Sequence, residues 1–436
     1  MKTNGKYYME CRICGSIIPD LHIWFKDGQC CNACGSEFVD IKYNKLELKN
    51  QPEHGMWKYF DVLPILNPFN IITCREGLVQ IDRWKSLEKY ALKTKGINIK
   101  VYAHRMDNNP ATGTFKDLAG SMIASVLKEH NNRKFSKIQK YAVSSTGNIG
   151  VAYARYLADA SITLHVFMPN NKEHAQEILC FGQIPHCLDQ SYSDIKAELN
   201  VAYFQNETDI LISPTYDPLR IEAKKTIAYE WQYYGIYPTV YIQAVSGGTG
   251  PLGIFKGYKE LKKMGSKENI PRMILVQAGK CKPMYDAWES AKRDNFPRGW
   301  STRGFKSASQ TSIGTLNTQH PALYSQLAPK VKDSGGEFTF CYEHKVPEIA
   351  AFISYMEQVR MGPAAAVAVG GFFRSLRNDK LKDGDKVMIM IGEGVRRSPQ
   401  FASEVSEVIK KGIEGIDLKE YKREMVRERM EELNLS

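Results

Sequence analysis

Lys116 stands in the run Asn109-Pro110-Ala111-Thr112-Gly113-Thr114-Phe115-Lys116-Asp117, between a segment that reads as a strand, Ile99 to Ala103, and one that reads as a helix, Asp117 to Lys128. A lysine at that place meets the positive end of the helix dipole, so an ammonium gains nothing there. The placement suits an amine that becomes part of a covalent imine. An exposed first-turn lysine is the plain alternative, and two further loops weigh against it. Ser144-Ser145-Thr146-Gly147-Asn148 follows the strand Tyr141–Ser144 and precedes the helix Ile149–Leu157. Hydroxyls, an amide and free N–H groups converge there at a helix start, which is a competent carboxylate site. An ordinary helix cap explains any one of these residues but explains four in a row poorly. Ser246-Gly247-Gly248-Thr249-Gly250 follows the strand Tyr241–Ala244 and precedes the helix Leu252–Leu261. Its glycines let backbone N–H groups wrap a phosphate. It lacks the lysine and spacing of a P-loop and the spacing of a dinucleotide fingerprint, and a plain tight turn is its alternative.

A nucleophilic amine, a carboxylate pocket and a phosphate cup are together what pyridoxal 5′-phosphate and an amino-acid substrate require. The aldehyde needs the lysine, the cofactor phosphate needs the backbone cradle, and the substrate carboxylate needs a holder. A free lysine titrates near about 10.4, so the imine is what makes its nitrogen useful near neutrality. The released amine can then serve as a general base at the substrate's α-carbon.

The elements that must position these loops alternate regularly. Apolar runs rich in Val, Ile and Tyr fall near Val101, Tyr141–Ser144, Leu164–Met168, Ile210–Ser213, Val240–Ala244 and Ile274–Gln277, with helical stretches between them. This is βαβ organisation with a mainly parallel sheet, in which functional loops sit at the C-terminal ends of strands. Residues 281–340 are less regular, and their polar run up to Thr318 is a candidate substrate entrance. Val346–Gln358 reads as a helix with Ile349, Phe352, Ile353 and Met356 on one face, and Lys386–Ile391 reads as a last buried strand. The charged pattern from Ser403 onward reads as a solvated or oligomer-facing helix.

Ahead of this body, Cys11-x2-Cys14 and Cys31-x2-Cys34 each precede a glycine, Gly15 and Gly35. Four thiolates so spaced can close a tetrahedral structural zinc site, and the glycines allow the knuckle turns that aim N–H groups at sulfur. Cys30 offers a register shifted by one residue. The segment lacks the Lys/Arg density of a nucleic-acid module. The 436-residue chain is 43% hydrophobic and 25% charged, enough for a large core. Its net charge of +11 is interleaved along the chain and suits anionic small substrates without identifying one. The N-terminal stretch has no apolar signal region and no run is long enough to span a membrane, so no membrane partner is expected. Cysteine usage points to a reducing cytoplasm.

The chain resembles threonine synthases, within the fold-type II pyridoxal-phosphate enzymes. The resemblance rests on Gly55–Pro64, Arg75-Glu76-Gly77, Asn109–Asp117, Ser144–Asn148, Asp217–Glu230, Ser246–Gly257 and Lys386–Gly394, in the same order. The segment Asp217–Glu230 is the most specific of these. The implied fold is α/β: two three-layer α/β domains with an N-terminal zinc ribbon. Residues 1–42 would be the ribbon, 43–108 with 240–402 the large cofactor-binding domain, 109–239 the small domain and 403–436 a helical tail. By the same resemblance Lys116 is the imine lysine and Asn148 holds the cofactor's 3′-oxygen. Gly247, Gly248, Thr249 and Gly250 hold its phosphate. Ser145, Thr146 and Gly147 hold the substrate carboxylate. Lys58, Arg220 and Lys225 are candidates for a leaving phosphate on charge alone, with surface cations as the alternative. The family reaction is elimination and replacement, in which O-phospho-L-homoserine and water give L-threonine and phosphate. A homodimer acting on a small O-activated amino acid is expected, with no nucleic-acid partner.

Two departures bear on the substrate. Leu78-Val79-Gln80 replaces the family's Asn-Thr-Pro, and Ile391-Gly392-Glu393-Gly394 replaces its Thr-Gly-His-Gly. Isoleucine cannot pair with the pyridine nitrogen, so Glu393 or Ser398 takes over or the nitrogen stays unpaired. Replacement at the β-carbon of O-phosphoserine or another serine derivative, and a deaminating lyase, are the alternative reactions. A non-catalytic ligand- or nucleic-acid-binding protein that retains the fold is the rival outside enzymes.

Overall fold

A computed structural model describes residues 4–49, 55–133, 137–145, 147–199, 210–305, 308–414 and 423–435. Thr146 lies outside the described residues. The chain opens with a three-stranded antiparallel sheet, β1 (Tyr7–Cys11), β2 (Ile17–Ile18) and β3 (Val39–Tyr43), in the order β2-β1-β3. Two larger sheets follow. One holds β4 (Ile81–Arg83), β5 (Lys100–His104), β10 (Val240–Ala244), β11 (Arg272–Ala278), β12 (Glu337–Cys341) and β13 (Lys386–Met390), ordered β12-β11-β10-β13-β5-β4. All its pairings are parallel except β4 against β5. The other holds β6 (Lys140–Ser144), β7 (Thr163–Pro169), β8 (Ile184–Leu188) and β9 (Ile210–Ile212), all parallel, ordered β8-β7-β6-β9.

The larger sheet is buried on both faces, which is why its central strands read as unbroken apolar runs. Side chains alternate between two cores, following the two-residue period of a strand. Tyr241, Met273, Leu275, Met388 and Met390 enter one core, and Val240, Ile242, Ile274, Val276, Val387 and Ile389 enter the other. The ribbon's Tyr7, Met9, Trp24, Val39 and Ile41 belong to the first core rather than to a core of their own.

Two interior helices, Pro218–Tyr233 and Thr249–Lys263, meet at glycine contacts: a Cβ on Gly253 would lie 2.7 Å from Lys224 Cβ, and one on Gly257 would lie 2.6 Å from the Lys225 carbonyl oxygen. From Ser403 onward the expectation of a solvated or oligomer-facing helix needs correction, because part of this stretch is buried. Phe401, Val426 and Met430, from the helices Pro399–Ile413 and Arg423–Glu431, are buried in the second core. Amphipathic helices bury their apolar stripe where a partner exists, and here the partner is the helix Val346–Glu357. Residues 281–340 are also more regular than expected, with helices Pro283–Arg293 and Tyr324–Asp333 ahead of β12.

Candidate active site

Four loops leave the C-terminal ends of parallel strands and converge. Those after β5, β10 and β13 are neighbours because their strands pair, and the loop after β6 comes from the smaller sheet. The lysine loop and the last loop are joined directly. Phe115 N donates to Gly392 O at 3.1 Å and Gly394 N donates to Gly113 O at 3.1 Å.

The lysine loop holds its shape through its two end residues. Asn109 Oδ1 accepts from Gly77 N at 2.8 Å, while its amide nitrogen donates to Thr114 O and Met106 O, each at 3.0 Å. Asp117 Oδ2 accepts from the backbone N–H of Ala111 at 3.1 Å and of Thr112 at 3.0 Å. Buried backbone groups in a turn need such partners. Lys116 then caps the helix Asp117–Asn132 with its side chain turned into a cavity of about 520 Å³. Burial lowers its amine to about 8, with Arg220 pushing the same way and Glu393 opposing.

Lys116, Asn148, Arg220, Gly247, Gly248, Thr249, Gly250 and Glu393 all line that one cavity. Gly248 has φ 98°, and a Cβ there would lie 2.9 Å from Leu327; a Cβ on Gly250 would lie 2.8 Å from the Gln243 amide. The loop is therefore a bare backbone cradle at the start of the helix Thr249–Lys263, which fits a phosphate. Lys224, buried and facing the same cavity, donates to Thr249 Oγ1 at 2.7 Å. Burial, then Lys116 and Arg220, hold its amine well below the ordinary lysine range. An anion between these cations would relieve that repulsion. With an amine at one end and a phosphate cup at the other, the cavity fits pyridoxal phosphate.

Glu393 is the carboxylate among the described lining residues. Its Oε2 accepts from Asn148 Nδ2 at 2.6 Å and its Oε1 from Ala364 N at 2.9 Å. Burial raises its carboxyl pKa. Asn148 Oδ1 accepts from Arg397 Nε at 3.1 Å, and Arg397 is paired with Glu177 at 2.6 Å. The Asn148 amide is thus oriented from both sides. Ser398 faces a neighbouring cavity instead.

Several expected residues lie elsewhere. Ser145 does not face the cavity; its hydroxyl accepts from the N–H groups of Gly147 and Gly150, each at 3.0 Å, and so caps the helix Asn148–Asp159. Gly147, at φ 145°, sits behind the cavity wall, where a Cβ would lie 2.9 Å from the His174 ring. Lys58 is drawn off by Glu230 at 2.7 Å and by the Tyr233 ring at 3.8 Å. Lys225 points away from the cavity, between Glu222 at 2.6 Å and Glu260 at 2.8 Å. Buried carboxylates hold such cations more strongly than an open cavity does. Conversely, Lys196, Lys224, Gln243 and His320 face the cavity without having been expected there, while Thr318 closes the polar run read as a candidate substrate entrance. Lys224 had a signal, since it lies within Asp217–Glu230.

In the ribbon, the Sγ atoms of Cys11, Cys14, Cys31 and Cys34 lie within 4.8 Å of one another. The pairs Cys11–Cys34 and Cys14–Cys31 are 3.6 Å apart, close to the edge of a tetrahedron with metal–sulfur bonds of about 2.3 Å. Gly15 and Gly35 take φ 73° and 70° at the two knuckles. Cys30 is outside the cluster, its thiol directed at Asp27 O.

Comparison with known proteins agrees with this geometry. The family model described as "Pyridoxal-phosphate dependent enzyme" matches residues 83–393. A threonine synthase of Methanocaldococcus jannaschii is 24% identical over 397 residues, covering 86% of this chain and 90% of that protein. A cysteate synthase of Methanocella paludicola is 21% identical over 410 residues, covering 90% and 91%. Among solved structures, diaminopropionate ammonia lyase from Escherichia coli superposes with a TM-score of 0.61 at 14% identity, over 83% of this chain and 95% of that one, a likeness of fold. The amine opposite the glycine cradle, the parallel sheets that carry both and the matched span lead to one assignment: the chain belongs to the pyridoxal-phosphate dependent enzymes and is threonine synthase-like in sequence.

Proposed function

We propose that the protein eliminates phosphate from a phosphorylated amino acid and adds water, with O-phospho-L-homoserine giving L-threonine as the leading case. The charge of the cavity carries this reading. Lys116, Lys196, Arg220 and Lys224 face it against Glu393, the one carboxylate among the described lining residues. Lys116 is used by the cofactor aldehyde, and Lys224 with the glycine loop accounts for the cofactor phosphate. Lys196 and Arg220 remain, which is cation enough for a second phosphate. The threonine synthase relatives support the same substrate.

When bound, pyridoxal phosphate supplies an electron sink for negative charge at the substrate's α-carbon. Lys116, lowered to about 8, can take a proton from that carbon near neutral pH and deliver one further along the substrate. Arg220 is held by Tyr153 at 2.7 Å and Asp217 at 3.2 Å, so it meets a departing phosphate already oriented. Asn148, fixed between Glu393 and Arg397, orients whatever oxygen approaches its free N–H. A structural zinc at Cys11, Cys14, Cys31 and Cys34 belongs to the same proposal. It is supported by the near-tetrahedral sulfurs, and it leaves no open position for catalysis.

A second reading is replacement at the β-carbon of O-phosphoserine or another serine derivative. Similarity to a protein named cysteate synthase favours it. Incubating purified holoenzyme with each phospho-amino acid, and measuring released phosphate and the amino-acid product, separates the two. Threonine from phosphohomoserine supports the first; phosphate released from phosphoserine alone supports the second. Lys116→Ala is expected to abolish both turnover and the covalent adduct trapped by borohydride, and survival of either removes Lys116 from its role.

A further inference from the structure

A second, separate concentration of positive charge lies between the ribbon and the two interior helices. It is a cavity of about 210 Å³ that shares no lining residue with the catalytic one. Among the described residues, six cations line it against two carboxylates, Asp40 and Glu260. Three of the cations are paired. Arg12 lies 3.7 Å from Asp40, Lys42 lies 3.8 Å from Glu10 and 3.9 Å from Asp40, and Lys256 lies 3.6 Å from Glu260 and also bonds Glu222. The other three, Lys259, Lys263 and Lys330, have no carboxylate within ion-pairing distance among the described residues. Lys330 reaches inward from the helix Tyr324–Asp333, and its amine donates to the Gln326 carbonyl at 2.8 Å. Burial, and then Arg12, bring that amine down to about 8. Like charges so grouped repel one another unless an anion sits between them.

The size of the space selects the anion. Drug-sized organic ligands occupy cavities of about 300–1,000 Å³, and this one is smaller. The walls are aromatic. The Phe255 ring centroid lies 5.5 Å from Lys259 Nζ and 5.8 Å from Lys330 Nζ, and Tyr216 closes the ribbon side. Lys256 and Lys330 stand half-buried in the cleft and Lys259 and Lys263 stand exposed at its rim, a short cluster rather than a stripe that could track a nucleic-acid backbone. We propose that this cleft is a binding site for a small polyanion of the phosphate class, with pyrophosphate or inorganic phosphate as its minimal form. The site spans the ribbon and three helices, with Ile221 on Pro218–Tyr233, Lys259 on Thr249–Lys263 and Lys330 on Tyr324–Asp333, so its occupant ties the ribbon to the helices that carry Arg220, Lys224 and the glycine cradle.

The test uses holoenzyme whose cofactor has been fixed by borohydride reduction, titrated with pyrophosphate by calorimetry at low salt. Wild-type protein is expected to show a binding step that weakens at least tenfold in Lys259→Gln/Lys330→Gln and weakens as ionic strength rises. The same step should persist in Lys196→Gln, which removes a cation from the catalytic cavity instead. Lys259→Gln alone, at an exposed position, should give a smaller loss in the same direction and serves if the double variant folds poorly; bound-cofactor absorbance and the melting temperature without anion report folding. Equal affinity in wild type and the cleft variants overturns the proposal, as does absence of any pyrophosphate binding. Binding of a single-stranded oligonucleotide that depends on Lys259 and Lys330, while pyrophosphate does not bind, overturns it in favour of a nucleic-acid surface.

Discussion

Lys224 and Lys225 are consecutive, equally buried and turned to opposite sides. Lys224 faces the cavity and Thr249, and Lys225 faces Glu222 and Glu260. Lys224→Met is expected to weaken cofactor affinity tenfold or more, about 1.4 kcal/mol, with little loss of folding stability, as read by absorbance during dialysis against free cofactor. Lys225→Met leaves two buried carboxylates sharing Lys256, and is expected to cost about 3 kcal/mol of stability in denaturant unfolding while cofactor affinity holds. The reverse pattern would exchange the two assignments. Charge alone could not separate these lysines in the sequence. Nearly every residue of the helix Pro218–Tyr233 is buried, so it has no polar stripe to show which side chain faces a cavity. Lys116 and the glycine loop were legible because their chemistry depends on local order, whereas Lys196 and the ion pairs of Lys58 depend on distant segments. Lys116 also carries a pH expectation. With its amine near 8 rather than about 10.4, recombination of cofactor-free protein with pyridoxal phosphate should speed up as pH rises and level off above about 8. A rise that continues to pH 10 would mean the amine is not desolvated.

Among the elements, the strands buried on both faces were readable, as was the apolar edge strand β9, while the edge strands β4, β8 and β12 were not. β10, β11 and β13 are unbroken apolar runs, whereas β8 carries Pro185 and His186 at an edge, β12 begins at Glu337 and β4 has three residues, Ile81, Asp82 and Arg83. An edge strand tolerates proline and exposes polar side chains, so the apolar signal fades. The lysine loop gives an element-scale test through Asp117, whose carboxyl burial pushes up to about 7. Between about pH 4 and 7 the unfolded chain is ionised at this position while the folded protein keeps the proton. The folded state therefore binds more protons, and stability falls as pH rises through that window. Asp117→Asn removes the titration, so the stability of wild type relative to the variant should decline by up to about 1.4 kcal/mol per pH unit from 4 to 7 and stay flat above. A difference that does not change with pH would show that Asp117 is ionised throughout. The helix pair beneath the phosphate cradle yields a second test. A Cβ at Gly257 would press on the Lys225 carbonyl oxygen, a backbone atom with no freedom to turn aside. Gly257→Ala should cost about 1–3 kcal/mol and loosen the cradle, whose Thr249 opens the same helix eight residues earlier.

Across the molecule, the ribbon is the part whose sequence signal was strongest and whose connections were least visible. Cysteine spacing identifies a knuckle pair because the ligands are local, but nothing in it says what the ribbon rests on. It rests on the interior helices. Tyr43 Oη donates to Glu222 Oε2 at 2.5 Å, Tyr216 Oη donates to Asp40 at 2.5 Å, and Lys256 Nζ donates to Ile41 O at 2.6 Å. The Glu222 carboxylate that Tyr43 meets also holds Lys225 and Lys256, and it lies two residues from both Arg220 and Lys224, which face the catalytic cavity. Metal binding at four thiolates is coupled to the folding of the segment that holds them. The purified chain should therefore contain one zinc, and Cys14→Ser, at an exposed ligand, should lose it. That variant is expected to melt several degrees lower, because Tyr7, Met9, Trp24, Val39 and Ile41 would leave the shared core. Its bound cofactor should remain, since the lysine assigned to the imine, Lys116, caps a different helix from the one that carries Arg220, while KM for the phosphorylated substrate should rise as Arg220 loses the fixed helix beneath it. Zinc content, melting temperature and KM are separate measurements. A zinc-free protein with unchanged melting and unchanged KM would leave the four cysteines without the structural role assigned to them.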